Sequence, residues 1–162
     1  MENASSTWSL DVMLRIVVLD SSPLGLACKN PSLPDVRRIL AWIDTLQAAG
    51  VIVYLPEIAD YEVRRKLLHI EATASLKRLE RMALRLEYSA ITTPVMRKAA
   101  ELWADARRRG RPTSGPRVLD ADSILAAQAV LLAGPGDSVT IATENVGHLG
   151  QFADARPWAS IA

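Results

Sequence analysis

The chain has a single cysteine, Cys28, so no disulfide can form within it, and the residue reads as a small buried hydrophobe in a reducing cytoplasm. It has only two histidines, His69 and His148, and neither joins a cluster with the cysteine, which disfavours zinc. No apolar run reaches the roughly 18 residues that a membrane span requires. The opening "MENASSTWSLDV" lacks the basic start and apolar middle of a signal peptide. Residues 1–13 are expected to be a flexible tail, with Met13 an alternative start, and 14–162 to form one domain in the cytoplasm. Repeats and low-complexity stretches are lacking.

What is present is apolar mass and an uneven charge. Of 162 residues, 49% are hydrophobic, enough for one domain with a sizeable core. Net charge is only +1, yet residues 64–117 carry fourteen Lys/Arg against five acids, and the rest carries five bases against thirteen acids. Such asymmetry suits a polyanion-facing region beside a separate acidic centre, although solvated helix faces would also produce it.

Short β-branched runs at 15–19, 51–56 and 138–143 read as buried strands, and "SAITTP" at 89–94 as a short one. Helical patterns fill 34–50, 57–68, 73–88, 95–110 and 120–134, while "RPTSGPRVL" at 111–119 reads as a loop. Strands alternating with helices predict a three-layer α/β/α sandwich around a mostly parallel sheet. In such sheets the site lies beyond the carboxyl ends of the strands.

That rule singles out several acids. "IVVLDSSPLG" (16–25) runs four aliphatic residues into Asp20 and then a Pro-Leu-Gly turn. A carboxylate so placed is costly unless it is paired or bound to a cation. Glu62 shares a helix face with Ile58 and Ala59, pointing inward rather than with Arg64 and Arg65. Asp120 and Asp122 open an apolar helix, where capping accounts for one of them more comfortably than for both. Several carboxylates at one sheet end raise one another's pKa unless a divalent ion lies among them, and all-oxygen ligands suit Mg²⁺ or Mn²⁺. Such an ion supports in-line displacement at phosphorus, and the basic half of the chain could hold a phosphate backbone.

The segments "VVLDSS", "LPEIADYEVRRKL", "LDADSILAAQA" and "IATENVGHLGQF" followed by tryptophan resemble the PIN-domain ribonucleases, especially the VapC-type toxin of VapBC toxin–antitoxin pairs. The resemblance spans 15–158 and rests on the order and spacing of the motifs. It implies a Mg²⁺- or Mn²⁺-dependent endoribonuclease, a homodimer, and a small antitoxin covering the acidic cleft. Asp20, Glu62 and Asp122 would hold the metal, directly or through water, with Asp120 an additional acidic neighbour. RNA hydrolysis would leave a 5′-phosphate end. Asn145, next to Thr143, stands where many relatives carry a fourth aspartate; it can orient water or phosphate but adds no charge, leaving open one metal or two. Ser21 and Thr143 could donate hydrogen bonds to phosphate or water.

Plainer readings stand beside these. For Arg107, Arg108 and Arg109, a solvated helix end weighs equally with RNA contact. Asp60 and Glu71 read as exposed, Glu57 as a partner of its own helix start, and His148 as a satisfied turn residue. Trp42, Trp103 and Trp158 read as packing. A phosphoacceptor domain fits poorly, because Asp20 has no acidic partner nearby and Ser22 stands where a dehalogenase-like enzyme needs aspartate. The remaining alternative is a catalytically inactive PIN-like module that binds RNA or protein.

Overall fold

The computed structural model describes residues 12–110 and 116–162. Five parallel strands form one sheet in the order β3-β2-β1-β4-β5: β1 (Arg15–Leu19), β2 (Ile52–Pro56), β3 (Glu87–Ser89), β4 (Ser138–Ala142) and β5 (Ala155–Arg156). β1 is central, pairing Val17 with Val53 on one side and with Thr140 on the other. The expected sandwich is therefore present, with every strand pair parallel.

Alternation along the strands supplies two cores. Val17 and Leu19 of β1, with Val53 and Leu55 of β2, face α1 (Ser21–Ala27), α2 (Pro34–Ala48), α3 (Glu57–His69) and α4 (Thr73–Arg85). Ile16, Val18 and Ile141 face the other way, onto Leu125 and Ala129 of α6 (Pro116–Leu132) and Leu149 of α7 (Val146–Leu149). α5 (Thr93–Arg108) packs along α6 through Val95, Ala99 and Ala127. Each aliphatic side chain so buried contributes about 1.5–3 kcal/mol. A 3-10 turn, Trp158–Ser160, closes the chain, where Trp158 packs on Trp42 and the Trp42 Nε1 donates to the Ile161 carbonyl at 2.8 Å. Among the described residues no helix is long and apolar enough to cross a membrane.

The structure corrects four local expectations. The Pro-Leu-Gly segment is not a turn but part of α1, which Asp20 caps; Pro23 sits early in it, where a missing N–H costs little. The third strand is Glu87–Ser89 rather than 89–94, and Thr93 already begins α5. The expected loop at 111–119 lies outside the described residues as far as 115, and from Pro116 the chain is helical, so Asp120 and Asp122 do not cap α6. Asp60 is buried, 7% exposed, and accepts hydrogen bonds from the Arg64 guanidinium at 2.9 Å and the Tyr88 hydroxyl at 2.9 Å. Residues 1–11 of the expected tail also lie outside the described residues.

Candidate active site

From β1 the chain leaves through α1 and α2 toward β2, whereas the strand on its other side, β4, is reached through α5 and α6. The carboxyl ends of β1 and β4 thus border the point where the connections diverge, which is where open parallel sheets form their crevices. Asp20 ends β1 and is 9% exposed. Its backbone N–H donates to the Ala142 carbonyl at 3.0 Å, carrying the pairing one residue past the strand. One carboxylate oxygen accepts from the Ser21 backbone N–H at 2.6 Å; the other accepts from the Thr143 hydroxyl at 2.7 Å. Thr143 Oγ1, fully buried, in turn accepts from the Asn145 backbone N–H at 2.8 Å. A single carboxylate therefore ties together a strand end, a helix start and the turn after β4. Each of its oxygens has two lone pairs, so each retains one for a further ligand.

Asp122 approaches from α6. Its carboxyl group is pushed up from 3.8 to about 6, first by burial, then by the Asp20 carboxylate; His148 pulls it back, and the Glu62 carboxylate adds to the rise. His148 Nδ1 lies 3.6 Å from Asp122 Oδ2. The Asp20 carboxylate after β1 and the Glu62 carboxylate on α3 thus both act on Asp122 of α6.

Among the described residues, no three His, Cys, Asp or Glu side chains are grouped so that they could hold a metal ion. The donor set nevertheless fits Mg²⁺ or Mn²⁺ in kind. It is all oxygen, and the Asp20 and Glu62 carboxylates both raise Asp122 while His148 lowers it. Mg²⁺ characteristically takes one or two carboxylates and keeps several waters.

The other expected site residues are placed less closely together. Asn145 is exposed beside Thr143, while Ser21 is half-buried, with its backbone N–H on Asp20. Asp120 borders a cavity of about 470 Å³ that Met96, Ala99 and Trp103 of α5 also line. Arg107 stacks its guanidinium 4.9 Å from the centre of the Trp103 ring. Arg108 pairs with Asp105, and Arg109 borders a small cavity between α5 and the segment after α7. Glu57 accepts from the Ile91 backbone N–H at 2.5 Å, joining α3 to the segment after β3. Sequence reasoning missed His148 as a member of the centre; the available signal was its position three residues after Asn145, at the site end of β4.

No family model matches the sequence, and no curated protein matches it. Three solved structures share the fold. VapBC2 from Rickettsia felis, bound to a DNA fragment from its promoter, superposes with a TM-score of 0.66 at 16% identity, over 88% of this chain and 98% of the other. VapBC-1 from nontypeable Haemophilus influenzae gives 0.61 at 14% identity, over 90% and 99%. DNA-bound VapBC from Salmonella typhimurium gives 0.53 at 19% identity, over 90% and 99%. The chain has the fold of a VapC-type PIN domain.

Proposed function

We propose that this chain is a Mg²⁺- or Mn²⁺-dependent endoribonuclease, the toxin of a VapBC-type pair. The observation that supports the reading is the Asp122 carboxyl, raised to about 6 by burial and by the Asp20 and Glu62 carboxylates, beside an Asp20 that ends the central strand. When bound, a divalent ion would supply an acidified water and charge stabilisation at the scissile phosphate. Asp20, Glu62 and Asp122 would hold that ion, in part through water. Thr143 orients the Asp20 carboxylate through the 2.7 Å hydrogen bond, and the 3.6 Å approach of His148 tempers the charge of Asp122. Ser21, Asn145 and the arginines at the end of α5 would meet the RNA strand. The likeness to VapBC complexes supports a cognate antitoxin as partner, and a homodimer is part of the same reading.

The test is cleavage of single-stranded RNA by purified protein with Mn²⁺. Asp20→Asn and Asp122→Asn are each expected to lower the rate to about a hundredth or less while RNA binding survives. Unchanged cleavage in both variants would overturn the assignment. The second reading, a non-catalytic RNA- or protein-binding module, is favoured by the neutral Asn145; RNA binding by the unsubstituted protein without any cleavage would select it.

A further inference from the structure

A cavity of about 140 Å³ lies between the C-terminal part of α5 and the segment after α7, lined by Leu102, Asp105, Ala106, Arg109, Gln151 and Phe152. It is well below the roughly 300 Å³ of a typical small-molecule pocket, and its size suits one planar ring system. Its lining is mixed and more polar than apolar, with Leu102, Ala106 and Phe152, the one phenylalanine of the chain, as the apolar part. Its polar groups are a guanidinium, an amide and a carboxylate. Asp105 is fixed in place by Arg108, whose hydrogen bond holds its carboxyl below the usual range, so it is an acceptor at neutral pH.

The cavity is bounded by elements that neighbour those carrying Asp122 and His148. His148, on α7, reaches Asp122, while Gln151 and Phe152 follow directly after α7, with the Phe152 N–H donating to the Leu149 carbonyl at 3.0 Å. The opposite wall is α5, packed along the helix that carries Asp122.

We propose that this cavity is a nucleobase subsite that takes one unstacked base of single-stranded RNA next to the acidic centre, with guanine preferred. The proposal rests on the nuclease reading for its place in the reaction, but not for its binding chemistry. Bases of single-stranded RNA are commonly recognised by stacking on an aromatic ring with hydrogen bonds at their edges. Guanine presents O6 and N7 to a guanidinium and donates the paired N1–H and N2–H to a carboxylate, so its adjacent edges match Arg109 and Asp105. Cytosine can accept from a guanidinium at N3 and O2 but offers the carboxylate only its N4 amino group, and uracil offers it only N3–H, so neither presents guanine's paired donors beside paired acceptors.

The test is fluorescence anisotropy in EDTA, using labelled uridine hexanucleotides carrying one central guanine, adenine or cytosine, or none. The guanine oligonucleotide is expected to bind about fivefold tighter or more than the all-uridine one. Arg109→Ala, on the exposed helix end, and Phe152→Leu, which keeps apolar bulk but loses the ring, are each expected to reduce that preference to about twofold or less. Arg109→Ala alone decides the matter if Phe152→Leu fails to fold. Base-independent binding by the unsubstituted protein, or a guanine preference that survives Arg109→Ala, would overturn the subsite. Guanine-selective binding without cleavage in Mn²⁺ would instead uphold the subsite and sink the nuclease reading.

Discussion

Replacing Asp122 with asparagine should make the metal-free protein more stable at neutral pH. In the fold this carboxyl releases its proton at about 6 instead of 3.8. Between those values the folded state holds a proton that the unfolded chain has already released, so stability falls as pH rises through this window. Above it the ionised carboxylate costs the fold about 3 kcal/mol. Asparagine keeps the shape of the neutral acid and removes the charge. Thermal unfolding in EDTA should show little advantage for Asp122→Asn at about pH 4 and a melting point higher by about 6–12 °C at about pH 8. Adding Mn²⁺ at the higher pH should raise the melting point of the unsubstituted protein more than that of the variant, because a bound ion relieves the same repulsion. A variant that gains nothing, or gains equally at both pH values, would refute the reasoning.

Two further substitutions probe the scaffold. Gly25 lies inside α1, and a Cβ there would meet Val63 Cγ2 at an ordinary 3.7 Å, so Gly25→Ala should stabilise the fold by about 0.5–1 kcal/mol in urea denaturation. Gln128 is 1% exposed; its amide donates to the Ser89 carbonyl at 2.5 Å and accepts from the Ile58 N–H at 3.3 Å. Gln128→Leu strands both groups and should cost about 2–4 kcal/mol, with faster hydrogen exchange at the Ile58 amide.

The sheet was legible because its inner strands are buried on both faces and therefore read as unbroken aliphatic runs, as in "IVVL" and "VIVYLP". Asp20 stood out for the same reason: a charge at the end of such a run needs an explanation. The misreadings share a different cause. α1 carries proline and glycine, which read as a turn, but its helical form rests on the Asp20 cap and on packing against α3. β3 is only three residues long and polar on one face, so no periodicity marked it. Asp60 looked solvated because its partners, Arg64 and Tyr88, come from one turn ahead on its own helix and from a distant strand. His148 escaped because its position after Asn145 places it only at the site end of β4, while Asp122 reaches it through the tertiary fold.

The two outermost strands of the sheet are short, three residues in β3 and two in β5. An edge so brief gives an incoming chain almost no ladder of N–H and C=O groups to extend, a device that guards against runaway self-association. Recognition by strand addition is thereby disfavoured, which leaves the helices and loops as the larger surfaces for assembly.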